Sequence, residues 1–328
     1  MKALVYDGPE ALGFRDVPDA VAGPGQQLIK VMSVGVCGSD MHAFLGHDDR
    51  RPAPLILGHE AAGVIVGGTR DGERVTVNPL VACGTCAACA RGHDNLCAER
   101  KIISMPPREG AFAQMVAMRD ENLVTVPDHV SFDAASLAEP IACGWHAVRL
   151  ARRALPEAPT ALVIGGGAIG LGAALSLSAQ GITEIIILEP NDIRRGVLNG
   201  QCMQTSMSPD DLPADAMFDL VIDGVGYGAT RATASAHVRP GGVIAHIGLG
   251  EATGGLDIRR MTLQEITFFG TYTYTAQDFR DTAQAIFDGR LGRLDWTEQR
   301  ALADGASAFT DIRAGITAAP KIVLRPND

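Results

Sequence analysis

Apolar and polar positions alternate in short runs over the first 140 or so residues. The segments "KALVY", "QLIKVMSVGV", "AAGVIVG", "RVTVNPL" and "AQMVAM" are rich in β-branched residues. Gly, Pro and Asp clusters separate them, a spacing that predicts a barrel-like antiparallel β domain. The pattern changes near Ser136, where "DAASLAEPIACGWHAVRLA" has a helical period. Strand-like and helix-like segments then take turns: "TALVIGG", "IGLGAALSLSAQG", "TEIIILE", "FDLVIDGVG", "ATRATASAHVRPGG" and "VIAHIGLG". That alternation predicts a parallel α/β sheet. Beyond about residue 276, a helix-like "QDFRDTAQAIFDG" precedes a strand-like "PKIVLRP". The longest uncharged run, Ala158–Thr183, has the length of a membrane span, but Gly165, Gly166, Gly167, Gly170 and Gly172 crowd it. A buried strand, a tight turn and a helix is the reading it supports.

Composition narrows the class. The chain has 328 residues, more than one domain usually needs, and is 46% hydrophobic and 20% charged. Its formal charge is -10 with no basic runs, which argues against a nucleic-acid or anionic-membrane partner. The N-terminal "MKALVYDGPEALGF" has no apolar run of signal-peptide length, so the expected location is the cytoplasm.

Four of the seven cysteines, Cys83, Cys86, Cys89 and Cys97, follow the spacing C-x2-C-x2-C-x7-C. Disulfides are rare in a reducing compartment, which leaves a metal, an iron–sulfur cluster or inert packing. A ferredoxin-type run ends with a three-residue gap and a proline. Here the last gap is longer and Ala98 follows. Short C-x2-C gaps let thiolates converge on one tetrahedral ion, so structural zinc is expected. A closed four-thiolate site braces a loop and leaves the chemistry to other residues.

Gly165-Gly166-Gly167-Ala168-Ile169-Gly170 is a G-x-G-x-x-G. An apolar strand precedes it, a helical pattern follows, and a second strand ends at Glu189, 19 residues after Gly170. That context is the dinucleotide-binding signature: Gly165 for the turn, Gly167 for close approach of the pyrophosphate, Gly170 for helix–strand packing. Glu189 is placed to accept from ribose hydroxyls and to repel a 2′-phosphate, so NAD is expected over NADP. Arg194 and Arg195 follow closely and pull the other way.

The stretches "VGVCGSDMHAFLG" and "LILGHEAAG" carry Cys37, His59 and Glu60. Cys, His and a carboxylate form a donor set that binds zinc while leaving a position open. Singly, each has an ordinary alternative in core packing or structural hydrogen bonding.

Taken together and in order, "GVCGSDMH", "GHEAAG", the four-cysteine loop, "AEPIACGWHA" and "VIGGGAIGLGAALSLSAQG" resemble the zinc-dependent medium-chain dehydrogenases. Glu139-Pro140, where simple alcohol dehydrogenases carry a cysteine, makes the chain most similar to the sorbitol-type polyol branch. The resemblance implies a GroES-like β-rich catalytic domain over 1–143, a doubly wound Rossmann domain over 144–275 and a segment, 276–328, returning to the first. It implies two zinc ions per chain. Cys37, His59 and Glu60 would bind the catalytic one, with Glu139 a further ligand or a hydrogen-bond acceptor beside it. Ser39 and His42 match the proton-relay positions, and Asp40 a residue bracing the zinc region. Departures accompany these matches, among them a short region after "NDIRRGVLNG". Thr273 stands where the family usually has an arginine, Ala43 where an aromatic residue often follows the relay histidine, and the loop before "ERVTV" is short.

The expected reaction is hydride transfer between a secondary alcohol, a polyol or sugar alcohol first of all, and NAD. Threonine or a simple secondary alcohol is the alternative substrate. A zinc-free reductase would lack the Cys37, His59 and Glu60 set, and a non-catalytic dinucleotide sensor would have no use for two metal constellations. A homodimer or homotetramer is the assembly the resemblance implies.

Overall fold

The computed structural model describes residues 1–327. The chain divides into two compact units: Met1–Glu139 with Thr275–Asp288 and Thr297–Asp328, and Pro140–Tyr274 with Gly289–Trp296. Two details differ from the expected boundaries. Residues 140–143 belong with the second unit because the helix Ala138–Ala154 runs on into it. Gly289–Trp296 also packs there, with the Arg290 guanidinium 5.6 Å from the Trp145 ring centre.

In the first unit, the long strand Gln26–Gly35 is the hub. It pairs antiparallel with Glu60–Val66, with Met115–Arg119 and with the last strand, Lys321–Arg325. The β-branched alternation seen in "QLIKVMSVGV" turns Ile29, Val31 and Val34 into a core that also holds Leu57, Ile65, Val75, Phe112 and Met118. Phe309, from the C-terminal helix Gly305–Arg313, completes it, edge-on to Phe112 at 6.0 Å between ring centres. Register does the positioning. Gly35 faces Glu60 on one side and Val323 on the other. The chain entering Cys37, the His59–Glu60 dipeptide and the lysine that opens the last strand therefore meet at one end of the sheet.

The second unit holds a six-stranded parallel sheet. Its spatial order is Ser206–Met207, Glu184–Leu188, Thr160–Ile164, Phe218–Asp223, Val238–His246, Thr267–Gly270. The helix Ala168–Ala179 crosses over between Thr160–Ile164 and Glu184–Leu188. The run "ATRATASAHVRPGG" is helical only over Gly228–His237. The strand begins at Val238 and carries Pro240 and the glycine pair as an irregularity in its pairing. Among the described residues no helix is long and apolar enough to cross a membrane.

Candidate metal and cofactor sites

The sulfur atoms of Cys83, Cys86, Cys89 and Cys97 lie within 4.8 Å of one another. A four-residue helix, Ala87–Ala90, turns the loop so that Cys86 and Cys89 are 3.5 Å apart, sulfur to sulfur. Backbone N–H groups point at the thiols: Thr85 and Cys86 donate to Cys83 Sγ at 3.4 and 3.3 Å, and Cys83 to Cys97 Sγ at 3.4 Å. The bonds from Thr85 and Cys86 pull the Cys83 thiol down to about 6, the Thr85 N–H contributing most. Desolvation and the neighbouring thiols push Cys89 up to about 12. Four sulfurs this close cannot all be thiolates without a cation among them, and a divalent ion fits the donor set. Asp94, inside the loop, accepts the Ala276 N–H at 2.8 Å and ties the loop to the helix Ala276–Phe287.

The second cluster is Cys37, His59 and Glu60, whose ligand atoms also lie within 4.8 Å of one another. Cys37 caps the helix Gly38–Phe44, and its N–H donates to the carboxylate of Asp40 in the first turn, at 3.0 Å. Asp40 is fully buried, takes the Gly58 N–H at 3.2 Å and lies 3.4 Å from His59 Nδ1. Burial would raise its pKa, but His59, Arg51 and the Cys37 N–H hold it below the ordinary carboxylate value. Ser104 Oγ is 3.2 Å from the same ring nitrogen. With Nδ1 occupied, Nε2 is the nitrogen left for a metal. Burial opposes the imidazolium, yet Asp40 and Cys37 outweigh it and raise the His59 pKa well above its ordinary value. A metal arriving here displaces a proton, as ligand binding by Cys and His requires. Glu60 is fully buried, and its Oε2 has no hydrogen-bond partner among the described residues. A buried carboxylate oxygen without a protein partner is a donor atom available to a cation. Both donor sets fit zinc.

In the second unit the phosphate loop has the shape its glycines predict. Gly165 has φ +96°, and a Cβ on Gly170 would overlap the Gly165 carbonyl oxygen. Gly167 caps the helix beginning at Ala168 and Ile169, and the space where its Cβ would stand is open, as an approaching pyrophosphate needs. Glu189 follows its strand and accepts from Gly166 N and Asn191 N, each at 2.9 Å. Arg194 Nη1 lies 3.6 Å from that carboxylate. Arg195 is committed to the Glu189 carbonyl at 2.7 Å and to Asp192.

Two family models match this chain: the alcohol dehydrogenase GroES-like domain over residues 23–128, and the zinc-binding dehydrogenase over residues 168–288. Bacillus subtilis sorbitol dehydrogenase is 33% identical over 84% of this chain and 82% of its own length. The chain belongs to the zinc-binding alcohol dehydrogenase family. Escherichia coli L-galactonate-5-dehydrogenase is 29% identical over 89% of this dehydrogenase and 88% of itself. Among solved structures, an Escherichia coli oxidoreductase/dehydrogenase of unknown specificity superposes with a TM-score of 0.90, at 24% identity, covering 100% of this chain and 99% of that one.

Not every expected residue of the dehydrogenase joins the cluster. Glu139 is buried at the start of its helix but is not among the three whose ligand atoms converge. Ser39 Oγ stands 3.5 Å from His59 Nε2, whereas His42 is exposed and makes no side-chain hydrogen bond among the described residues. Ala43 is part of the core. Thr273 has φ +46° and a buried, unpartnered hydroxyl. Lys321 was not singled out from sequence. Its buried ammonium donates to Glu60 Oε1 at 2.7 Å and to the Val36 carbonyl at 2.8 Å. Burial works against that charge, but Glu60, Cys37 and Glu139 outweigh it and raise the lysine's pKa. The available signal was a lysine opening the otherwise apolar "KIVL". A cavity of about 590 Å³, lined by residues such as Val17, Ile56, Arg108 and Val116, includes none of the cluster residues in its wall.

Proposed function

We propose that this dehydrogenase oxidises a secondary hydroxyl of a polyol or sugar alcohol with NAD, using one zinc ion at Cys37, His59 and Glu60 and a structural zinc ion at the four cysteines. The observation that carries the reading is the convergence of the ligand atoms of Cys37, His59 and Glu60, with one oxygen of the buried Glu60 left without a protein partner. When bound, zinc supplies Lewis acidity toward the alcohol oxygen and NAD accepts the hydride. The chain's own part is placement. Asp40 orients the His59 ring, and Lys321 takes one oxygen of Glu60 and leaves the other for the metal. Ser39, only half-buried, puts a hydroxyl beside His59 Nε2, where it can take the substrate's proton while passing its own to solvent. Gly165, Gly167, Ala168, Ile169 and Gly170 cradle the pyrophosphate. Glu189 selects NAD over NADP, with Arg194 the nearer counterweight. Four reduced thiols at one site suit a reducing, cytoplasmic setting, and a homodimer or homotetramer is the working assembly, which light scattering tests.

The polyol assignment rests on Glu139 and on the relatives. A buried carboxylate near Lys321 adds an acceptor for the second hydroxyl of a vicinal diol. Sorbitol dehydrogenase and L-galactonate-5-dehydrogenase are both named for polyhydroxylated substrates. A site built around that hydroxyl rejects an analogue without it by ~10-fold or more in kcat/KM. The test is kcat/KM for sorbitol and other polyols against 2-butanol and threonine. Preference for 2-butanol over every polyol would overturn the substrate class and leave the zinc chemistry standing.

A further inference from the structure

We propose that Arg51 is a positioning residue for the metal site, gripping the two serines that flank the His59 ring. This rests on the reading of Cys37, His59 and Glu60 as a zinc site. The Arg51 side chain is 2% exposed, an unusual place for a guanidinium. Its Nε donates to the Ser104 carbonyl at 3.0 Å, and its Nη2 and Nη1 lie 3.4 Å from the Ser39 hydroxyl and carbonyl oxygens. Those serines sit on opposite sides of the imidazole. Ser39 Oγ is 3.5 Å from Nε2 and Ser104 Oγ is 3.2 Å from Nδ1. Ser104 has φ +68°, a left-handed conformation that a serine holds only when its surroundings fix it. Arg51 is fixed in turn by Asp48, whose carboxylate takes Nη1 at 2.6 Å and whose other contacts are to Arg50.

A planar fork explains why arginine stands here. One guanidinium reaches the Ser104 loop, the start of the helix carrying Ser39, and Asp48 at once. A lysine ammonium, a compact charge on a flexible stem, cannot hold that spread. Because Ser39 Oγ accepts from Arg51, the guanidinium fixes where that hydroxyl stands beside His59. Arg51 thus sets both the ring that binds the ion and the hydroxyl that meets the substrate, without touching either ion or substrate.

The experiment uses Arg51→Lys and Arg51→Met in the full zinc-loaded chain, with Ser39→Ala and the Arg51→Lys/Ser39→Ala double variant. Zinc affinity is read by competition with a chromophoric chelator, and kcat and KM with the best polyol. The expected result for Arg51→Lys is catalytic-site zinc affinity or kcat reduced by about 10- to 100-fold. KM, the second zinc ion and the melting temperature of the chelator-treated protein should stay near the parent's. In the Ser39→Ala background the same change should cost much less in kcat, because the two residues act through one hydroxyl. Should Arg51→Met fail to fold, Arg51→Lys carries the test alone. Arg51→Lys with parental zinc affinity and kcat, or a loss of melting temperature with unaltered zinc affinity and kcat, would overturn the proposal. A parent that binds only the four-cysteine zinc would instead overturn the metal-site reading beneath it.

Discussion

A Cβ built on Gly35 would overlap Glu60 Oε2, and the rest of the Glu60 side chain would crowd it. Lys321 holds the other oxygen of Glu60 at 2.7 Å from inside the core, so the carboxylate cannot shift without straining that ion pair. Gly35→Ala should therefore displace the carboxylate, strand the buried lysine and lower the zinc content from about two ions per chain to about one. Elemental analysis with activity checks this, and a variant with both ions and full activity contradicts it. At the cofactor loop, Glu189→Ser removes the carboxylate that receives Gly166 N–H and leaves Arg194 without its 3.6 Å neighbour. Use of NADP relative to NAD should rise by about tenfold, equivalent to about 1.4 kcal/mol. A parent that already prefers NADP would show that Arg194 outweighs the acid.

Two elements of the first unit invite changes read as stability. In the cysteine loop, residues 83–97 hold only a four-residue helix, a one-turn 3-10 helix over Asp94–Leu96 and the Asp94 tie to Ala276, so a metal at the four sulfurs would do most to hold its shape. Cys86→Ser should release the structural zinc and cause loss of soluble protein on mild heating, by far more than a serine elsewhere on the surface. Soluble yield and zinc content after incubation measure it. The second element is the turn before the strand Arg74–Val77. Arg70 grips both oxygens of Glu73 at 2.6 Å, and Thr125 donates to the same carboxylate. Those bonds, Arg70's first, pull the Glu73 pKa from 4.5 to about 2. A carboxylate depressed in the fold contributes stability that is fully present above its unfolded value and lost as pH falls through the folded one. Glu73→Gln should thus lower the urea midpoint at neutral pH, and the gap to the parent should close between pH 4.5 and about 2. A gap that stays constant over that range would show that the ion pair is not its source.

At the scale of the whole molecule, the two units have separate cores, one around Ile29, Phe112 and Phe309 and the other around Leu162, Val221 and Ile244. The metal donors lie in the first and the phosphate loop in the second. Ligands that bind the folded state stabilise by mass action, about 4 kcal/mol at a thousandfold excess over Kd. Calorimetry should therefore show chelator lowering one part of the unfolding profile and NAD raising another, since chains of this build depart from two-state behaviour. Identical shifts of a single transition by both treatments would contradict that separation.

The amino-acid sequence alone determined what local spacing can encode. Closely spaced cysteines pointed to one metal, a glycine trio between a strand and a helix pointed to a turn suited to a phosphate, and β-branched alternation pointed to sheet. Cys37, His59 and Glu60 were legible because each stands in a short recognisable motif. Tertiary structure decided the rest, since the partners come from distant loops whose meeting depends on register. Lys321 reaches Glu60 across 261 residues only because the last strand pairs with Gln26–Gly35. Arg51 and Ser104, 53 residues apart, meet around His59 with no motif to announce them. The same packing left His42 exposed and Glu139 outside the converging trio. Spacing constrains neighbours along the chain, whereas burial and strand register choose neighbours across it.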